Sequence, residues 1–136
     1  TLISEHLKKA VLAYPKDADL NNVYAAILLK LHGYSEGKSL GELAKASEAI
    51  DYSKGLAQQK NQKAVSDILS ARIATLKGDP EGAKLIYEGI APTTSAMKLA
   101  IAEDLKLIRS SKAQANMLER SRKIKVTLSE MDIINF

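Results

Sequence analysis

ARIATLKGDPEGAKLIY, residues 71–87, contains the clearest helix boundary in the sequence. Gly78 is a typical helix terminator, because glycine adopts the left-handed conformation without strain. Asp79 is a strong N-cap for a following helix. Pro80 suits the first helical position, where an N–H group has no intrahelical partner. The stretch therefore predicts two helices that are joined by a short turn.

Apolar residues at helical spacing continue on both sides of this turn and predict further helices. Pro15 ends the first helix at Tyr14, and Asp17 or Asp19 caps the second. The second helix is predicted to end at His32-Gly33, the third to run from Leu40 to Gln59, and the fourth to follow a break at Asn61-Gln62. The sixth is predicted to run from Ser95 to Ile108. A basic seventh helix follows Ser110-Ser111, with Ala115, Leu118 and Ser121 on its inner face.

The composition favours one all-α domain over residues 1–136. With no Trp, one Phe and five Tyr, the core depends on Ala, Leu and Ile, which suit closely packed helices. The absence of cysteine excludes disulfides and thiolate metal sites. The chain begins at Thr1 rather than Met, which favours a fragment or a processed product.

The C-terminal part, residues 109–136, combines a basic helix with an apolar tail. It carries six Lys/Arg against three Asp/Glu, whereas residues 1–108 carry 14 against 13. A solvated helix face is our interpretation, ahead of contact with an acidic protein or a membrane. Nucleic acid is disfavoured because the stretch lacks base-stacking aromatics. Within it, residues 123–128 alternate with period two, as a strand does, but we interpret them as a helix end followed by an extended tail.

The spacing around Gly78 resembles one tetratricopeptide repeat. Ala71 and Ala74 stand where that family places small residues between its two helices, the turn follows at 77–79, and Ala83 precedes Tyr87 by four residues. The resemblance implies antiparallel helical hairpins in a short right-handed superhelical stack. It also implies a concave side that is lined by the first helix of each hairpin.

A second stretch, Leu20 to Gly33, is similar to the first helix of another repeat, with Ala25 in the small-residue position. Ala25 and Ala71 are 46 residues apart, whereas this repeat recurs at about 34, so segment 35–61 holds extra residues. Such long helical spacers are similar to those of membrane-anchored, periplasmic repeat proteins associated with the bacterial secretion channel. The sequence does not choose the compartment: the chain is cytoplasmic or, where an N-terminal anchor has been removed, periplasmic. Membrane contact is expected only where an anchor precedes Thr1.

The resemblance implies a non-enzymatic protein–protein interaction module that binds another protein or a peptide segment in its concave groove. On this alignment the expected groove residues are Asn22, Leu29, Lys30, Arg72 and Thr75.

The alternative is a structural, self-assembling subunit, because uncapped repeat ends expose apolar surface. Its expected contact is the apolar tail, a homo-oligomeric interface formed by Met131, Ile133, Ile134 and Phe136.

The residues that carry chemistry elsewhere favour no catalytic role here. His6 and His32 lack companion ligands at helical spacing, so no metal site is expected. Glu103 and Asp104 are adjacent, point to different helix faces and are expected to be solvated. Nucleotide-binding and nucleophile motifs are also missing. We therefore expect no enzyme activity, no cofactor and no metal.

Overall fold

The computed structural model describes residues 2–57, 59–126 and 134–136, and this part of the chain is all-helical apart from one pair of two-residue strands. The helices are α1 (Leu2–Ala13), α2 (Ala18–Tyr34), α3 (Leu40–Leu56), α4 (Lys60–Leu76), α5 (Pro80–Glu88), α6 (Ser95–Ile108) and α7 (Ala113–Arg122), and the strands are β1 (Lys125–Val126) and β2 (Ile134–Asn135).

Several predicted boundaries are confirmed by capping contacts. Gly78 adopts a φ of +86°, and Asp79 accepts a hydrogen bond from the Gly82 backbone N–H at 2.9 Å. Asp17 caps α2 through Leu20 N–H at 3.0 Å. These side chains satisfy N–H groups that the first turn of a helix leaves without a partner.

Three predicted boundaries are wrong. Helix α3 ends at Leu56 and not at Gln59, which is the N-cap of α4. Gly33 does not end α2, which continues to Tyr34, and the left-handed residues are Glu36 and Gly37, with φ of 56° and 82°. Gly33 is instead a buried helical residue. The break before α4 also precedes Asn61, because Gln59 and Gln62 cap each other reciprocally and begin the helix at Lys60.

The core is one apolar cluster to which α2 through α7 all contribute. Helix α2 lies at its centre and packs against α1, α3, α4 and α7. Helix α4 packs against α2, α3, α5 and α7. Small residues such as Ala25, Ala26 and Ala71 are fully buried, which lets the helix axes approach closely.

The last helix returns to the second. In a linear stack of hairpins each unit contacts only its neighbours, but α7 packs most extensively on α2 and less on α6, which precedes it. The fold-class prediction is therefore confirmed as far as all-α, while the chain closes back on itself through α7.

The alternation in residues 123–128 marks a short strand. Helix α7 ends at Arg122, and Lys125 and Val126 pair antiparallel with Asn135 and Ile134, respectively. Our interpretation as a helix end with an extended tail is thus wrong for residues 125–126. Residues 127 and 128 lie outside the described part of the chain.

Candidate functional site

Helix α7 presents a buried stripe with a spacing of four residues. Ala113, Met117 and Ser121 are all buried, Met117 and Ser121 completely, and Ile124 continues the buried side beyond the helix end. Of the predicted inner face, Ser121 is buried as expected, whereas Ala115 is exposed and Leu118 is only partly buried. The spacing of four between a small, a large and a small residue was the available signal for this stripe.

The stripe lies against the C-terminal half of α2 at very short range. A Cβ atom at Gly33 would lie 2.7 Å from the Leu118 carbonyl oxygen, so only glycine permits this approach. Arg122 Nε donates to the Gly33 carbonyl at 2.8 Å, and Lys30 Nζ donates to the Ile124 carbonyl at 2.8 Å. Cations placed at a helix C-terminus offset its partial negative charge.

A second set of contacts joins the same segment to α4. Gln114 Nε2 donates to the Leu76 carbonyl at 3.1 Å, and the ring of Phe136 covers Arg72, whose Cζ lies 4.9 Å from the ring centroid. We call residues 113–126 and 134–136 the C-terminal segment, and the sides of α2 and α4 beneath it the acceptor face. The acceptor face therefore binds a helix of its own chain.

A buried charge cluster anchors α7 at α6. Asp104 Oδ2 accepts from Arg72 Nε at 2.8 Å and from the Tyr87 hydroxyl at 2.7 Å, and Oδ1 accepts from Arg72 Nη2 at 3.2 Å. Arg120 Nε lies 2.6 Å from Asp104 Oδ1 but outside hydrogen-bonding geometry. Arg72 and Asp104 are completely buried. The prediction that Asp104 is solvated is wrong, because the carboxylate bridges α4, α5, α6 and α7.

This cluster joins helices through a single buried carboxylate. Both oxygens of Asp104 are engaged by donors, and the group is closed to solvent. Glu103 accepts from Arg120 Nη1 at 3.0 Å on the outer side. Arg120 thus contacts both carboxylates, whereas Arg72 contacts only the buried Asp104.

The cluster also changes the acidity of Tyr87. Burial raises the pKa of the Tyr87 phenol well above its ordinary value, and the charge of Asp104 raises it further. The folded chain therefore keeps this hydroxyl protonated at a pH where the unfolded chain ionises it, above about pH 10. Its contribution to stability is complete below that pH and is lost as the pH rises.

Replacement of Tyr87 with phenylalanine tests this linkage. In the wild type, the free energy of unfolding should fall above about pH 10 by up to about 1.4 kcal/mol per pH unit from this group alone. In Tyr87→Phe this component disappears, so the alkaline slope becomes shallower. Urea unfolding between about pH 8 and 11 measures the difference. The exposed Tyr34→Phe serves as the control, and an equal slope in wild type and Tyr87→Phe would contradict the linkage.

The predicted groove residues do not line an open groove. Asn22, Leu29, Arg72 and Thr75 are buried, and Lys30 is partly exposed and bound to the C-terminal segment. The prediction of these residues as an exposed lining is therefore wrong. Lys30 and Arg72 nevertheless contact the segment that covers the acceptor face.

The other two polar members of this set have structural partners. Asn22 Oδ1 accepts from the Ser53 and Ser66 hydroxyls at 2.7 and 3.0 Å, which joins α2, α3 and α4 inside the core. Thr75 donates to the Ala71 carbonyl of its own helix at 3.0 Å. Buried polar groups need such partners, because an unpaired one costs about 1–3 kcal/mol.

Part of the apolar tail and half of the six Lys/Arg residues in 109–136 have contacts within the chain. Ile134 and Phe136 are partly buried and pack on the core, so these two do not form a fully exposed apolar tail, while Met131 and Ile133 lie outside the described residues. Self-association through the tail stays a prediction. Of the basic run, Arg120, Arg122 and Lys123 have intramolecular partners.

An open cleft lies on the opposite edge of α2, between α1 and α3. It has a volume of about 660 Å³. Its lining residues are Lys8, Val11, Leu12, Pro15, Asn21, Tyr24, Lys45, Glu48, Ala49 and Tyr52. We call it the α1–α3 cleft. The sequence pattern does not reveal this cleft, because Leu12 and Tyr52 fall outside the helically spaced apolar residues that predict α1 and α3.

Neither a metal site nor a membrane-spanning helix is present among the described residues. No three His, Cys, Asp or Glu side chains are grouped in a way that could hold a metal ion. None of the helices in this part of the chain combines the length and apolar character needed to cross a membrane.

Comparison of the chain with protein-family models, with curated proteins and with solved structures found no match. The resemblance to tetratricopeptide repeats accordingly stays a prediction that depends on the small-residue spacing around Gly78.

Proposed function

We propose that this chain is a non-enzymatic protein–protein interaction module whose acceptor face binds a short helix of a partner protein. One observation supports this proposal above the others: the chain seats its own α7 on that face, between α2 and α4. The resemblance to tetratricopeptide repeats points the same way, since those stacks offer the side of their first helices to a guest. A right-handed superhelical arrangement of the hairpins is part of this proposal.

The contacts of α7 define the chemistry of the partner helix. It carries a small, a large apolar and a small residue at a spacing of four, as Ala113, Met117 and Ser121 do. It also carries cations at the positions of Arg120 and Arg122, which meet the carboxylates of α6 and the C-terminus of α2. A basic amphipathic helix of about three turns fits this description, and the partner displaces α7 to bind.

A peptide added in trans tests the proposal. The probe is a fluorescent synthetic peptide of residues 109–126, and the receptors are the full chain and its Met117→Ala variant, in which the chain's own α7 is weakened. We expect the variant to bind the peptide at least about tenfold more tightly than wild type, because in the wild type the face is already filled. Fluorescence anisotropy measures the binding.

The experiment includes a control peptide and a second pair of receptor variants. A peptide with aspartate at the Met117 position must fail to bind, since a charge cannot enter the buried stripe. Should Met117→Ala fail to fold, the paired Gln114→Ala and Arg122→Ala substitutions weaken the same docking at polar, incompletely buried positions. Equal binding by wild type and variants, or no binding to folded variants, would overturn the proposal.

A further inference from the structure

The α1–α3 cleft combines a hollow and projections in one patch. Tyr24 and Ala49 form its buried floor, while Leu12 on α1 and Tyr52 on α3 project from its walls with 72% and 50% of their surface exposed. Large apolar side chains that border a hollow are typical of an interface. A patch that presents both shapes can bind a copy of itself, because a two-fold axis places each projection against the hollow of the other copy.

The charged residues of α1 and α3 follow one another in complementary order along the two helices. Helix α1 carries Glu5 and then Lys8 one turn later, and α3 carries Lys45 and then Glu48 one turn later. None of the four makes an ion pair within the described residues. When α1 of one copy lies parallel to α3 of another in the register that sets Lys8 beside Glu48, Glu5 also lies beside Lys45, because the two charged residues on each helix are three residues apart. A partner with a single sign of charge matches only half of this pattern.

We infer that the α1–α3 cleft is a two-fold interface, and that its occupant is α1 of a second copy of this chain. Leu12 of each copy enters the cleft above Tyr24 of the other copy. Lys8 of each copy pairs with Glu48 of the other, so the dimer contains two such ion pairs. This surface is separate from the acceptor face, so the dimer does not depend on the function proposed above. Ile134 and Phe136 of the predicted apolar tail are not part of this contact, since both pack on their own core.

Sedimentation equilibrium of the full chain over a range of concentrations tests the inference. We expect a wild-type dimer and, for Leu12→Asp, a dissociation constant at least about 30-fold higher, the factor expected for a central interface residue. Leu85→Asp is the matched control, because Leu85 on α5 is also 72% exposed but lies away from the cleft. Circular dichroism confirms that both variants keep their helices, and Tyr52→Asp replaces Leu12→Asp if α1 unfolds in the latter.

A charge exchange tests the register of the two copies. Lys8→Glu and Glu48→Lys alone each place two pairs of like charges in the interface and should raise the dissociation constant about tenfold at low ionic strength. The double variant restores opposite charges and should recover wild-type affinity. A wild type that stays monomeric, an equal effect of Leu85→Asp, or a double variant as weak as the two singles combined would overturn the inference.

Discussion

Replacement of Asp104 with asparagine is expected to lower the free energy of unfolding by about 3–5 kcal/mol. The side chains have nearly the same volume, so the loss is electrostatic. Asp104 faces two guanidinium groups and the Tyr87 hydroxyl. Without the carboxylate, the buried Arg72 has no counter-charge, and an uncompensated charge in the interior is costly. The loss is a large share of the about 5–15 kcal/mol that stabilises a typical domain.

The neighbouring residue supplies the control for Asp104→Asn. Glu103 also pairs with Arg120, but its side chain is 50% exposed. An exposed ion pair contributes about 0–1 kcal/mol, so Glu103→Gln should leave the free energy of unfolding almost unchanged. Urea denaturation of both variants at neutral pH measures the two values. Losses of similar size in both would show that the buried cluster does not hold the helices together.

The helices of this chain were predictable where a local interaction decides the boundary. Asp17, Asp79 and Thr94 are caps whose partners lie three residues ahead, and Gly78 is a terminator that acts on its own helix. Such contacts are encoded within a few residues of sequence. The prediction that Gly33 is a terminator was wrong because the requirement for glycine there comes from Leu118, on a helix distant in the sequence.

The candidate site was less predictable because long-range packing determines it. The alignment placed Arg72 and Lys30 on an open concave surface, but α7 and Phe136 return to cover that side. No local pattern in residues 20–33 or 60–76 reveals which later segment will cover them. The buried stripe of α7 was visible as Ala113, Met117 and Ser121, but the choice between it and Ala115 and Leu118 depends on the neighbour of α7.

The Gly33→Ala variant is expected to destabilise the fold by about 1–3 kcal/mol and to release α7 from α2. The added Cβ would lie 2.7 Å from the Leu118 carbonyl oxygen and 3.1 Å from the Arg122 backbone nitrogen. These are backbone atoms and cannot rotate away, so α7 has to shift. Because the clash is on the acceptor face itself, the variant should also fail to bind the added peptide of residues 109–126, unlike Met117→Ala.

Gly55→Ala is the matched control and should act with the opposite sign. Gly55 is also helical, but a Cβ there has no heavy atom within 4 Å. Alanine is favoured over glycine inside a helix by up to about 1 kcal/mol, so this variant should be more stable than wild type. Thermal and urea unfolding of the two variants measure the sign of the change in the free energy of unfolding for each. If Gly33→Ala proved as stabilising as Gly55→Ala, α7 would not depend on its close approach to α2. The acceptor face would then lack its structural basis.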